Sequence, residues 1–340
     1  MKAMLLTGPR ELRLGEIEKP EPANGEVLVR LTSSGICGTD LKIFEGAIPV
    51  PYPLVMGHEM IGVLVEGGDD EIKNGERVII DPALYCGRCV NCRAGQTSLC
   101  PKGVLLGRDK NGGFAEFMAV PRSNVYKLPD SIDNQAAPIL QMATTCLHAH
   151  RAIGAFLGQS VVVVGLGMTG LIHMQLAKAW GAHPVIGVEL SPWRRSVAME
   201  LGADIVLPAK AEGVKGVLDA TGGIGADLVI ESTGVMAAIA DAIAMARLGA
   251  TVLNFGISSA TQGSLPFYQF YYKELKFVNS RAAKPEDFPV CIDLVARGVL
   301  NLKRLATHVV PLVDLEKAIA MLVADSEADR RIKVILEHAL

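Results

Sequence analysis

Apolar and polar residues alternate in short runs through the first 129 positions of the chain. EVLVRL from Glu26, MIGVLVEGG from Met60, ERVIID from Glu76 and FAEFMAV from Phe114 each end near Gly or Pro. A period of two, punctuated in this way, predicts β-strands joined by long loops. Over residues 132–153 the spacing turns helical, with Asp130 or Ser131 placed to cap the start. Between residues 161 and 279 the rhythm changes again: VVVVG, an apolar helix to Trp180, PVIGVE, a helix to Leu201, DIVL, DLVIESTG, a helix to Leu248, and ATVLNFG. Strand and helix in strict alternation predict a doubly wound parallel sheet. Helices near 288–297 and 315–324 and a strand at RIKVILE close the sequence. We expect these last segments to rejoin the β-rich part, so that residues 1–143 with 281–340 form one domain and residues 144–280 an inserted one.

Length supports that division, because 340 residues exceed what one growing core usually holds. Charge narrows the partners. Thirty-three basic residues against 36 acidic ones give a net charge of -3, with no long like-charged run, so nucleic acid and an anionic membrane are excluded as expected partners. The opening MKAMLLTGPRELRLGE has too short an apolar stretch for an export leader. The most apolar stretch, 161–180, is interrupted by three spaced glycines and by His173, Gln175 and Lys178, which suits a buried strand feeding a packed helix rather than a membrane span. Of seven cysteines, four crowd into 15 residues. That density points to metal binding in a reducing, cytoplasmic compartment.

The spacing Gly165-x-Gly167-x-x-Gly170 follows VVVV and opens a helix at Met168. In that setting the first glycine makes a turn, the second lets backbone approach a pyrophosphate, and the third lets helix and strand pack closely. Glu189 lies 24 residues after Gly165, at the end of the next strand. A carboxylate there accepts hydrogen bonds from the adenosine ribose and repels a 2′-phosphate, so NAD is the expected cofactor. Of the two arginines behind it, Arg194 and Arg195, one is expected to reach the ribose and the other to be solvated.

CGRCVNCRAGQTSLC sets Cys86, Cys89, Cys92 and Cys100 at C-x2-C-x2-C-x7-C. Four thiolates close a tetrahedral zinc shell and leave no open position, which makes a structural site. A sparser set follows from Cys37, Thr39 and Asp40 on one loop and His58 and Glu59 after a Pro-rich stretch. One thiolate, one imidazole and one carboxylate leave a zinc ion room for a further ligand, as a Lewis-acid site requires.

Together, Cys37-Gly38-Thr39-Asp40, Gly57-His58-Glu59-x-x-Gly62, the four-cysteine lobe and the Gly165 fingerprint resemble the medium-chain zinc alcohol dehydrogenase family, most closely its sorbitol, butanediol and threonine dehydrogenase branch. The resemblance implies a GroES-like β-rich catalytic domain carrying an inserted Rossmann domain. It further implies two zinc ions per chain, NAD, a secondary alcohol, polyol or sugar substrate, and a homodimer or homotetramer. By the same resemblance Cys37 and His58 hold the catalytic zinc, with Glu59 as an exchangeable third ligand or near neighbour. Thr39 would begin the proton relay and Asp40 would orient His58. Two positions depart from the family pattern. Gln141 stands where the last ligand is usually Cys, Glu or Asp, and as a zinc ligand it would offer only a neutral carbonyl oxygen, leaving the ion a stronger Lewis acid or less tightly held. Lys42 stands where many members place a relay histidine, and an ammonium donates but does not accept. His148, His150 and His173 read as hydrogen-bonded or surface histidines, Cys146 and Cys291 as small packing residues, and Arg281 as a surface group or a contact to pyrophosphate or substrate. Beside the alcohol or polyol dehydrogenase stand an aldose dehydrogenase of the same family, a silent zinc- and NAD-binding protein, and a zinc-free enone reductase.

Overall fold

The computed structural model describes residues 1–154, 157–258, 262–324 and 330–338. Its contacts divide the chain into two compact units, Met1–Met142 with Lys284–Leu340, and Ala143–Ala283.

The first unit opens with strands β1 (Lys2–Gly8), β2 (Glu11–Glu16) and β3 (Glu26–Gly35), helix α1 (Gly38–Phe44), and strands β4 (Leu54–Val55), β5 (Glu59–Glu66), β6 (Arg77–Ile80) and β7 (Ala83–Leu84). The one-turn α2 (Val90–Arg93) and strands β8 (Val104–Leu105), β9 (Phe117–Pro121) and β10 (Val125–Lys127) follow, and helix α3 (Leu140–Ile153) begins in the first unit and belongs to the second from Ala143 onward. The second unit contributes β11 (Val161–Val164), α4 (Met168–Ala179), β12 (Val185–Glu189), α5 (Pro192–Glu200), β13 (Ile205–Pro208) and α6 (Ala211–Ala220). It continues through β14 (Ala226–Glu231), α7 (Met236–Met245), β15 (Ala246–Asn254), α8 (Phe267–Tyr272) and β16 (Lys276–Asn279). The chain then returns to the first unit with α9 (Asp287–Ala296), β17 (Ala306–Pro311), α10 (Leu315–Val323) and β18 (Lys333–Glu337).

In the first unit the main sheet runs β10-β6-β5-β3-β18-β17, with β9 also paired to β3. Strand β3 is central, with β5 along one edge and β9 and then β18 along the other. Its Val27, Leu28, Val29, Leu31, Ser33 and Ser34 are buried, so the strand lacks a clean inside-outside alternation. One register detail positions the site. Gly35 faces Glu59 on β5 and Ile335 on β18, and Lys333 shares a face with Ile335 two residues along.

The second unit is a six-stranded, wholly parallel sheet in the order β13-β12-β11-β14-β15-β16. Its centre is continuous apolar strand: Val161, Val162, Val163 and Val164 are all buried. Such runs are what a parallel sheet covered on both faces requires.

Three local expectations need correction. The helix expected from residue 132 begins at Leu140, behind a 3-10 turn at Ala137–Ile139 that contains Pro138. Pro138 has no N–H to donate back along the chain and disfavours helical backbone at the residue before it, so a helix running from residue 132 is broken there. The helix expected to reach Leu248 stops at Met245. Ala246 pairs with Ala226 on β14, and the Lys273 ammonium collects the carbonyls of Ile243, Ala244 and Ala246. Helix α6 was not expected, because Gly213 and Gly216 weaken its propensity. Both are demanded by packing: a Cβ on Gly213 would lie 2.5 Å from the Pro208 carbonyl oxygen, and one on Gly216 would lie 2.9 Å from the Leu207 side chain.

Candidate functional site

Cys37 stands between β3 and α1, and His58 and Glu59 stand at the entry to β5. Their ligand atoms all lie within 4.8 Å of one another. Asp40, in the first turn of α1, ties two of them together: its Oδ2 accepts the Cys37 backbone N–H at 2.8 Å, and its Oδ1 faces His58 Nδ1 at 3.3 Å. Burial opposes a charge on the His58 ring, but Asp40 and then Cys37 outweigh it and hold its pKa well above the ordinary value. Burial likewise pushes the Cys37 thiol up, and the charge and hydrogen bond of His58 reverse this and bring it down. A sulfur, an imidazole and a carboxylate converging in this way are donor types that zinc takes, so the residues fit the ion. Thr39, beside Asp40 on α1, is half-buried, as is Lys42 one turn later. Gln141 is buried at the second position of α3.

Sequence reasoning missed Lys333. Its buried ammonium donates to Glu59 Oε1 at 2.7 Å and to the Ile36 carbonyl at 2.8 Å, and lies 2.6 Å from Glu59 Oε2. Gly35 makes room for the pair, since a Cβ there would come within 1.8 Å of Glu59 Oε2 and 2.8 Å of Lys333 Cε.

The four clustered cysteines converge on the lobe around α2. Cys100 Sγ lies 3.6 Å from Cys86 Sγ and 4.0 Å from Cys89 Sγ, and all four sulfurs fall within 4.8 Å. A disulfide requires ~2.05 Å. Thiolates bound tetrahedrally at ~2.3 Å to one zinc lie about 3.8 Å apart, so the spacing fits an ion and excludes bridges. Backbone N–H groups of Arg88 and Cys89 draw the Cys86 thiol down to about 6, whereas burial and the neighbouring sulfurs push Cys92 up to about 12.

In the second unit a groove of about 460 Å³ is lined by Gly165, Gly167, Glu189, Arg194, Lys210 and Thr233, among others. Gly165 has φ 86°, and a Cβ on Gly170 would lie 1.8 Å from the Gly165 carbonyl oxygen, so neither position accepts a side chain. Gly167 caps α4, and Met168 begins it. The Glu189 carboxylate accepts the Leu166 N–H at 2.7 Å and the Ser191 N–H at 3.0 Å, which fastens the glycine loop to the end of β12. A carboxylate has about four lone-pair sites, so two remain. Arg195 donates to the carbonyls of Glu189 and Leu190, whereas Arg194 lines the groove. Lys210, another residue the sequence did not single out, reaches the same groove from a left-handed backbone with φ 70°.

His150 on α3 and His173 on α4 are both buried, with Nε2 and Nδ1 2.9 Å apart. Cys146 and Cys291 are buried, and Arg281 is exposed.

Comparison with known proteins gives two family matches. Residues 23–130 match the alcohol dehydrogenase GroES-like domain, and residues 169–297 match the zinc-binding dehydrogenase domain. The chain is 36% identical to L-galactonate-5-dehydrogenase of Escherichia coli K12 over 93% of both proteins. It is 30% identical to sorbitol dehydrogenase of Halalkalibacterium halodurans over 94% of this chain and 95% of that one. Among solved structures, a short chain alcohol dehydrogenase from Escherichia coli CFT073 complexed with cofactor NADH superposes with a TM-score of 0.90 at 30% identity, covering 99% of each chain.

Proposed function

The chain belongs to the zinc-containing medium-chain alcohol dehydrogenase family, and on that premise we propose that it oxidises a secondary carbinol of a polyol or sugar-derived alcohol with NAD. The observation that carries the reading is the meeting of Cys37, His58 and Glu59 within 4.8 Å, in one unit with a separate four-thiol lobe. Cys37, His58 and Glu59 would hold a catalytic zinc with Gln141 as a neutral neighbour, and Cys86, Cys89, Cys92 and Cys100 a structural one. Bound there, zinc supplies Lewis acidity toward the substrate oxygen, and NAD supplies the hydride acceptor.

The chain's own residues do the rest. Asp40 fixes the His58 ring and the Cys37 backbone in one frame. Thr39 hydrogen-bonds the substrate hydroxyl and, as it takes that proton, gives its own to water, while Lys42, an ammonium, is a donor and does not accept it. Gly165, Gly167 and Gly170 bring backbone N–H groups and the start of α4, at Met168, against the pyrophosphate. The two lone-pair sites left on Glu189 receive the adenosine ribose hydroxyls, and Arg194 lies alongside. In this reading residues 1–143 with 281–340 are the catalytic domain and 144–280 the NAD-binding domain, in keeping with the two compact units. The open edge of the parallel sheet at β16 suits assembly into a homodimer or homotetramer. Free cysteines throughout the described residues suit the cytoplasm.

The test is a scan of polyols, sugar acids, aldoses and simple secondary alcohols with NAD, following reduced cofactor. Turnover of at least one class is expected, with Cys37→Ser abolishing it and removing one zinc while NADH binding persists. If zinc and NADH both bind and no class is turned over, the chain is a silent binding protein and the proposal fails.

A further inference from the structure

We propose that Lys333 is a positioning residue and the counter-charge of the three-donor site, and that its ammonium loosens the hold of Cys37, His58 and Glu59 on a divalent cation. The proposal rests on the metal reading of those three residues given above. Lys333 comes from the last strand, 274 positions from Glu59, and both side chains are buried. It grips both walls of the site. One bond goes to the Glu59 carboxylate, and another goes to the carbonyl of Ile36, the residue immediately before Cys37. Gly35 is kept bare by this pair, since any Cβ would collide with Glu59 Oε2.

Two effects of Lys333 on a bound cation oppose each other. By holding the carboxylate, it keeps Glu59 where its oxygen already lies within 4.8 Å of the other two donors, which favours binding. By its charge, it offsets one of two anions, so that the cation meets a net charge of about -1 instead of about -2 from the thiolate, the carboxylate and the ammonium together. The charge effect is the larger. Glu59 is fully enclosed and has little rotamer freedom to lose, whereas like charges in a buried, weakly screened site repel strongly. Removing the ammonium also leaves a buried carboxylate uncompensated in the cation-free protein, and cation binding would relieve it. Both arguments point the same way. With Lys333 present the cation is held less tightly and its field is less neutralised by its own ligands, which leaves more of it for the substrate.

The experiment follows release of zinc from loaded protein into a chromogenic chelator. The phase absent from Cys37→Ser identifies the three-donor site. Lys333→Met is expected to slow that phase at least tenfold, and Lys333→Arg, which keeps the charge, to stay within about threefold of the parent. Glu59→Gln leaves the ammonium facing the cation with no carboxylate between and should release at least tenfold faster; the double variant Glu59→Gln with Lys333→Met should be slower than Glu59→Gln alone. The double variant contains no orphaned carboxylate, so it decides the matter if Lys333→Met fails to fold. Release from Lys333→Met as fast as or faster than the parent, or a double variant no slower than Glu59→Gln, would reduce Lys333 to a packing role and overturn the proposal. If Cys37→Ser keeps every release phase, the metal reading itself falls and takes the proposal with it, a result distinct from an unchanged rate.

Discussion

The His150–His173 pair makes the stability of the second unit depend on pH in a way that can be calculated. The two rings are stacked with centroids 5.1 Å apart, and Trp180 and Phe255 meet them edge-on at 5.2 and 4.4 Å. Burial pushes His150 down to about 3 from 6.5, and burial together with the neighbouring ring pushes His173 well below its ordinary value. Folded pKa values therefore lie below unfolded ones, so the unfolded chain takes up protons first as pH falls. Stability from the neutral pair is complete above about pH 7 and drains away between about 6.5 and the folded values. At pH 5 the neutral His150 imidazole costs about 2 kcal/mol, a large part of the ~5–15 kcal/mol that holds a domain together, and His173 works in the same direction. The perturbation is the double replacement His150→Leu with His173→Leu, which removes both partners at once and leaves no imidazole nitrogen unpaired. The assay is urea unfolding followed by tryptophan fluorescence at pH 7.5 and 5.0. Both tryptophans of the chain, Trp180 and Trp193, lie in Ala143–Ala283, so the signal reports that unit alone. The parent should lose at least about 2 kcal/mol more than the double variant between the two pH values. Parallel losses in the two proteins would refute the reasoning, because they would mean that the rings carry protons in the folded state.

Three further outcomes are expected. Elemental analysis should find two zinc ions per chain in the parent and one in Cys100→Ser, since Cys100 Sγ is the sulfur that approaches both Cys86 and Cys89; an unchanged count would exclude the four-thiol site. Gly170→Ala forces a Cβ to 1.8 Å from the Gly165 carbonyl oxygen and should weaken NADH binding at least tenfold in a fluorescence titration, with an unaltered Kd counting against the loop as the pyrophosphate site. The parent should favour NAD over NADP at least tenfold in kcat/KM because of the Glu189 carboxylate; the reverse order would mean that Arg194 and Lys210 dominate that end of the groove.

What the sequence revealed, and what it withheld, divides by range. The four cysteines, Cys37 with Asp40, His58 with Glu59, and the three glycines were legible because each set acts through neighbours a few residues apart, where spacing alone fixes geometry. The parallel sheet was legible because its strands are continuous apolar runs between glycine turns. Lys333 was not legible: in RIKVILE it is one basic residue in a strand, and only the register that sets Gly35 beside Glu59 and Ile335 reveals its partner. The pairing of His150 with His173 was hidden for the same reason, being a contact between two helices 23 positions apart. The start of α3 was misjudged because the spacing of apolar residues outweighed Pro138, which cannot sit inside a helix and delays its start to Leu140.

The return of β18 to the side of β3 has a consequence for synthesis on the ribosome. The unit Ala143–Ala283 is contiguous and can close as soon as it emerges, whereas the first sheet lacks two of its strands until residues 306–337 have been made. At about 5–20 residues per second, the 274 positions from Glu59 to Lys333 take about 14 to 55 seconds to translate. For that interval β3 exposes the edge at Ser33, Ser34 and Gly35 that β18 later fills, and the carboxylate of Glu59 waits in water for its ammonium. The nascent chain therefore carries an unpaired strand edge until β18 is made, and the step that seals the sheet also brings Lys333 to Glu59.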